Sequence, residues 1–477
     1  MTRRHLLGSL AAASCAAFAP AEAKKLPRST LTGRVLRRGE PDYEDFRLGM
    51  PWQMFKPNRY PDWIVQAQTD RDIIAAVNFA RRNGLRVAVK SGGHHVWANF
   101  LRDGGLLLDL SRLRSVAVQP DARRATVGPS VWGRNLIQRT LLHGLGFPVA
   151  HCATVGMGGF LLGGGFGLNG DQWGTMSCFA LAGAQVVTAA GELAQVSAAQ
   201  NPDLFWALRG AGNGFPGIVT QFDLNLFPAP ASILSSTYIF PASATAAVAE
   251  LAQHLADSRP AHTEILAIMA IAKHDTPRNQ VICVLRVATV APDPHESREI
   301  LERISNQPGI AAAIARMEYV SGDWEGQFLD SIDAGRGFGF GRYAVDNLWT
   351  HDPKPLLAML ADKLADSPSG HSHAVLQFKV KTELPAGAAF SRIAPVYAGL
   401  YSVWRDPALD GTAMNWLRTS MQSLTPLADG HYINEIDAEA RPASIAACFS
   451  AAAYQQLRTL RSRRDPGGVF FDFWGNA

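Results

Sequence analysis

Along the first half of the chain the apolar positions switch between two periods. DWIVQA reads as a short strand, and TDRDIIAAVNFARRNG follows as a helix. In that helix Ile73, Ile74, Val77 and Ala80 recur at helical spacing, Thr69 or Asp70 caps the start and Gly84 ends it. LRVAVK is a buried strand that runs into SGGHH. GGLLLDLSRL predicts another strand, SVAVQP and RATVGPS a pair of short ones, and Val131 to His143 a helix closed by Gly144. GFPVAHCATVGMGGFLLGGGFG reads as a glycine-rich loop region and ALAGAQVVTAAGELAQVS as a hairpin. NPDLFWALRGAGNGFPGIVTQFDLNLFP gives a capped helix, a glycine loop and a strand. Residues 24–60 read as irregular. Strands and helices alternate, which predicts an α+β or α/β class.

Past Pro228 the pattern changes. Strands such as ILAIMAIAK and VICVLRVATV mix with helices such as HESREILERISN and PKPLLAMLADKLAD, and glycine-rich loops become rare. This places a second domain at 229–425, between a first part at 24–228 and a closing segment at 426–477. That segment reads HYINEIDAEARP, a helix from about Ser450 to Arg463, and DPGGVFFDFWGNA.

Composition narrows the class. The 477 residues are 47% hydrophobic and 18% charged, ordinary for a globular chain with a sizeable core. A net charge of +4 without a long basic run leaves no nucleic-acid footprint. Residues 1–23 have the plan of an export signal: Arg3-Arg4, a short apolar stretch from Leu6 to Phe18, and a small-residue end at Ala21-Glu22-Ala23. The paired arginine points to twin-arginine export and a periplasmic or secreted product; the plainer alternatives are a general secretory signal or an amphipathic arm. No apolar run is long enough for a membrane span. Losing the signal removes Cys15 and leaves Cys152, Cys178, Cys283 and Cys448, without the spacing of a zinc site or a disulfide framework.

Candidate chemistry starts at VKSGGHH. Two adjacent histidines on an extended segment point to opposite faces and make a poor metal pair. A Gly-Gly pair instead lets backbone approach a ligand, with N–H groups free for anionic oxygens. AHCATVGMGG, DLFWALRG and YINEID with RRDPGGVFF follow in order. In that order these four segments resemble the FAD-linked oxidoreductases of the vanillyl-alcohol-oxidase fold, within them the berberine-bridge-enzyme-like branch, over Pro61 to the C-terminus. The resemblance implies an α+β chain: a two-part FAD-binding domain of the PCMH type with an inserted α/β substrate-binding domain. It implies FAD held by two covalent bonds, from His94 to the flavin's 8α-methyl carbon and from Cys152 to ring carbon C6. Imidazole nitrogen and thiolate are suitable nucleophiles toward an electron-poor ring.

By the same resemblance Lys90, Ser91, Gly92, Gly93 and His94 form the pyrophosphate loop, with Lys90 where arginine is common. Gly156, Gly158, Gly159, Gly163, Gly164 and Gly165 let backbone approach the cofactor, Ile218 and Val219 lie against it, and Asn434 contacts the flavin or orders its strand. His95 packs or hydrogen-bonds. His151 either lines the active site or faces solvent. Many relatives place a catalytic tyrosine where this chain has Glu435. A buried carboxylate can do that work if burial lifts its pKa; the alternative is a structural Glu435 paired with an arginine, with Tyr432 as the base.

The function so implied is oxidation of a small-molecule alcohol, sugar or phenolic by hydride transfer to FAD, with O2 or another electron acceptor closing the cycle. Two other readings compete. A nicotinamide-dependent Rossmann enzyme would explain the glycines of GMGGFLLGGGFG, although no acidic residue is well placed after them. A ligand-binding protein that had kept the fold would need neither His94 nor Cys152.

Overall fold

A computed structural model of the chain describes residues 31–274, 277–328, 341–379 and 383–473. The expected export segment lies outside these residues.

The first part holds two larger sheets and a two-stranded ribbon that pairs Phe227–Pro228 with Leu145–Gly146. One has four strands in the order Arg34–Arg37, Trp63–Gln66, Leu106–Asp109, Val87–Lys90. The last three are parallel, joined by right-sized crossovers, and Arg34–Arg37 adds antiparallel at the edge. The helix Asp70–Arg82 starts where its spacing predicts, on a capping box in which Thr69 and Asp72 satisfy each other's backbone N–H groups. Its apolar face, with Ile73, Val77 and Ala80, packs on this sheet. The second sheet has five antiparallel strands, with Gly217–Asn225 at its centre between Arg124–Val127 and Leu181–Thr188.

The third sheet has seven strands, all antiparallel, built between Ile233 and Trp404. Helices Thr245–Ser258, Pro353–Ala365 and Asp410–Leu424 cover one face. The inserted domain is therefore α+β within itself, and the α/β expectation is corrected: its neighbouring strands run in opposite directions, so no crossover of the parallel kind is needed. Alternation along TEILAIMAIAK sorts the side chains. Ile265, Ala267, Met269 and Ile271 enter the core under the helices, and Glu264 takes the opposite face with Gln377, Tyr397 and Tyr401 of neighbouring strands. That face looks onto the first part, where Tyr397 packs on Phe166 at 4.7 Å between ring centroids.

The closing segment returns to the first part. Tyr432, Ile433 and Ile436 and the helix Ala451–Arg464 enter the core of the five-stranded sheet, while Val469 and Phe471 hydrogen-bond to Val87 at the edge of the four-stranded one. Short elements escaped the sequence reading. Residues 24–60 contain the edge strand Arg34–Arg37 and the helix Tyr43–Leu48, both too short to show a period. The glycine-rich region contains the helix Met157–Leu162, hidden because its two glycines lower helix propensity. Among the described residues no helix is long and apolar enough to cross a membrane.

Candidate active site

The two glycine segments singled out in the sequence meet, backbone against backbone. A Cβ on Gly92 would lie 2.9 Å from the nitrogen of Gly156, and one on Gly156 would lie 2.9 Å from the Cα of Gly92. No side chain fits at either position. Gly93 has φ +78°, a conformation that disfavours any Cβ, and it backs onto the Met50 carbonyl. Ser91 Oγ lies against Gly158. SGGH and VGMGG are thus two halves of one backbone surface.

His94 stands at its end. The imidazole stacks flat on Trp52, with centroids 4.4 Å apart and planes 9° from parallel. Its Nε2 is buried and finds no hydrogen-bond partner among the described residues. Burial pushes the pKa down to about 4, so the ring is neutral at pH 7 and keeps a lone pair. Trp52 in turn meets Tyr343 of the seven-stranded sheet at 4.8 Å. Cys152 is half-buried, whereas Cys178, Cys283 and Cys448 are buried free thiols whose pKa values burial raises. Among the described residues Cys152 is therefore the accessible thiol. It lies within electrostatic reach of Tyr401, on the strand paired with that of Tyr343. His94 and Cys152 so face the same end of one sheet.

Several other expected contacts turn out differently. The Lys90 ammonium is buried on Asp109, 3.0 Å away, and Asp109 also accepts from Gln66 and Ser111. That charge is paired inside the protein. Gly163, Gly164 and Gly165 closely approach protein: Asn434 fills the Cβ position of Gly163, Phe390 that of Gly164 and Phe160 that of Gly165. Gly159 alone of this run opens to space. Ile218 and Val219 point to opposite faces of their strand and are buried in two apolar cores, so their side chains serve packing. The Tyr432 hydroxyl accepts from the Gly165 N–H at 3.1 Å and from Asn434 Nδ2 at 2.9 Å. Tyr432 and Asn434 thus lock the glycine loop. His95 is desolvated and contacts Asn99.

Facing this surface is a floor of side chains from the seven-stranded sheet. The hydroxyls of Tyr397 and Tyr401 both donate to Glu435 Oε2, that of Tyr401 at 2.8 Å. Gly399 sits between them on the same face, and its missing side chain lets the phenols converge; a Cβ there would come within 2.9 Å of the Tyr397 hydroxyl. Glu435 pairs with tyrosines and not with an arginine. Burial raises its pKa, against the lowering effect of both hydroxyls and of His151. Burial beside Glu435 raises both phenols well above their usual range, so they remain donors. His151 lines the site: Nε2 meets Glu264 Oε1 at 2.9 Å, and Gln377 Nε2 donates to the same oxygen at 2.9 Å. Burial would raise the Glu264 pKa, but His151, Arg286 and Lys379 prevail and hold it below the usual carboxylate range. Tyr397, Tyr401, Glu264 and Gln377 carried no signal in the sequence beyond strand alternation.

A protein-family model for an FAD-binding domain matches residues 61–197, which span both glycine segments, His94 and Cys152. The FAD-linked oxidoreductase nodO of Hypoxylon pulicicidum is 29% identical over 454 residues, 92% of this chain and 96% of that relative. The (R)-6-hydroxynicotine oxidase of Paenarthrobacter nicotinovorans is 34% identical over 175 residues, covering 37% of this chain and 38% of its own length. The chain is an FAD-linked oxidoreductase. Its fold is that of the berberine-bridge-enzyme-like proteins: BBE-like 1 of Physcomitrella patens superposes with a TM-score of 0.81 at 18% identity, covering 95% of this chain and 98% of the other. The xylooligosaccharide oxidase of Myceliophthora thermophila C1 superposes with a TM-score of 0.78 at 22% identity, covering 94% and 97%. The nicotinamide reading gives way to FAD.

The residues present fit that cofactor. A side-chain-free backbone surface suits a close-lying diphosphate, and a desolvated neutral imidazole whose Nε2 has no hydrogen-bond partner among the described residues suits a bond to the cofactor.

Proposed function

We propose that this FAD-linked oxidoreductase is a secreted oxidase of alcohols, sugars or phenolics that carries its flavin on His94 and Cys152 and uses Glu435 as the base. One observation carries the catalytic part: a desolvated carboxylate bracketed by two tyrosine hydroxyls, facing the surface that bears His94 and Cys152. FAD, once bound, supplies the two-electron acceptor for a substrate C–H bond.

The side chains do the rest. Both phenols donate to Oε2 of Glu435, which fixes the carboxylate plane and leaves Oε1 to accept the substrate hydroxyl proton. The tyrosines counter part of the desolvation that raises the Glu435 pKa, and the net rise makes it a stronger base than an exposed glutamate. His151, anchored by Glu264, presents a second polar group on the same side of the site and orients the substrate oxygen. Tyr432 and Asn434 hold the glycine loop rigid and take no proton. Backbone at Ser91, Gly92, Gly93, Gly156, Gly158 and Gly159 holds the diphosphate.

The test is a screen of primary alcohols, sugars and phenolics, read as flavin bleaching and as H2O2 release. Bleaching with peroxide supports the oxidase; bleaching without peroxide makes the enzyme a dehydrogenase with another acceptor; no bleaching by any substrate favours a ligand-binding protein that has kept the fold. Secretion rests on Arg3-Arg4 ahead of the apolar stretch. Changing both to Lys should strand the precursor inside the cell if export is of the twin-arginine type. Unimpaired export would point to the general secretory route.

A further inference from the structure

The segment Met50–Met54 has no role in the account above, yet it is tied to both halves of the site. The Trp52 N–H donates to the Gly93 carbonyl at 3.2 Å. Gln53 is fully buried; its amide nitrogen donates to the carbonyls of Val96 at 2.6 Å and Tyr343 at 3.0 Å, and its amide oxygen accepts from the Tyr343 N–H. The Met54 N–H donates to Gly341 at 2.9 Å. These bonds clasp the SGGHH loop to the edge strand Arg342–Thr350 and set the Trp52 indole between two rings, flat on His94 and tilted on Tyr343.

Resting on the covalent reading of His94, we propose that Trp52 is a positioning residue for flavin attachment, holding the His94 imidazole in the one orientation from which its nitrogen meets the flavin methyl carbon. Attachment forms an N–C bond and breaks an imidazole N–H and a methyl C–H; two protons and two electrons leave, and O2 takes them up as H2O2. The nitrogen must be unprotonated and correctly aimed. A parallel indole restricts rotation of the imidazole about its χ2 bond and shields one face from water, which helps keep it neutral. Without it the ring could turn its free nitrogen elsewhere, and a misplacement of about 1 Å is enough to cost roughly 10²-fold in such a step.

The experiment follows attachment, not turnover. Full-length apoprotein is mixed with FAD in air, samples are quenched over time, and peptide mass spectrometry reads the links at His94 and at Cys152 separately. For Trp52→Ala the rate at His94 should fall by roughly 10²-fold while the rate at Cys152 stays unchanged, and Trp52→Phe should restore most of the loss. Equal loss at both residues would mean general disruption of the fold and overturn the proposal, as would an unchanged rate at His94. If the unmodified protein forms no link at His94, the covalent reading itself is overturned, an outcome separable from the other two.

Discussion

The two walls of the site are built by different means. On the proposed cofactor side, Gly92, Gly93, Gly156 and Gly158 remove side chains so that backbone makes the surface, with His94 next to Gly93 in the chain. On the substrate side the surface is entirely side chain: Tyr397, Tyr401, Gln377 and Glu264 alternate out of antiparallel strands, and Glu435 reaches in from the closing segment. The first wall needs particular residues next to one another in sequence, because a loop bends only where glycines allow it. The second needs particular residues next to one another in space, and strands far apart in the chain supply them. In the proposed function, one wall holds the flavin and the other takes the substrate proton.

If the cofactor wall holds FAD by two bonds, the largest effect should come from removing both. Flavin should stay with the unmodified polypeptide after acid precipitation, and His94→Ala or Cys152→Ala should each leave one link. The double variant should release its flavin completely into the supernatant, measured by absorbance. Complete release from the unmodified protein would sink the bicovalent reading and leave the cofactor wall a purely non-covalent cradle.

The substrate wall is tested next. Glu435→Gln keeps the shape and an acceptor for both phenols but cannot take a proton. Flavin reduction in stopped flow should slow by roughly 10²–10⁴-fold, the usual worth of a general base, with the covalent flavin intact. Tyr432→Phe should slow it far less, because its hydroxyl is engaged by Gly165 and Asn434. Reduction of Glu435→Gln at nearly the original rate would remove the difference drawn between the two walls.

The same contrast governs what could be read without a structure. SGGHH and AHCATVGMGG are contiguous and visible as motifs; what their glycines approach in the structure is each other, Gly92 against Gly156. VYAGLYSVW gives no such signal: Tyr397 and Tyr401 read as ordinary strand residues, and only the pairing of that strand in the sheet turns them toward Glu435. Glu264 lies in an apolar strand where a lone carboxylate looks like an irregularity; its meaning comes from His151, 113 residues away in sequence. Lys90 shows the opposite case. It stands in the motif's basic position, but its partner Asp109 lies on the neighbouring parallel strand, in register with it, a pairing no motif displays. The antiparallel order of the inserted sheet was hidden likewise, since strand direction depends on connections that residue periods do not encode.

A finer test separates the base from its support. The Tyr401 hydroxyl donates to Glu435 Oε2 and so favours the ionised carboxylate; burial, the larger effect, opposes it. Tyr401→Phe removes the donor and keeps the ring, including its stack on His373 at 5.0 Å. The Glu435 pKa must then rise further. Only the ionised form accepts a proton, so the rate climbs as pH rises through that pKa, and the acidic limb should move to higher pH. A hydrogen bond to a charged group is worth about 1.5–3 kcal/mol, so its loss should move the limb by a measurable amount. Well above the limb the rate should recover to near its original value, because Tyr397 still orients the carboxylate. Flavin reduction measured across pH for both enzymes decides it. A limb that stays in place while the plateau falls would mean that Tyr401 touches the substrate directly, and the substrate wall would then have its proton chemistry centred on the phenol.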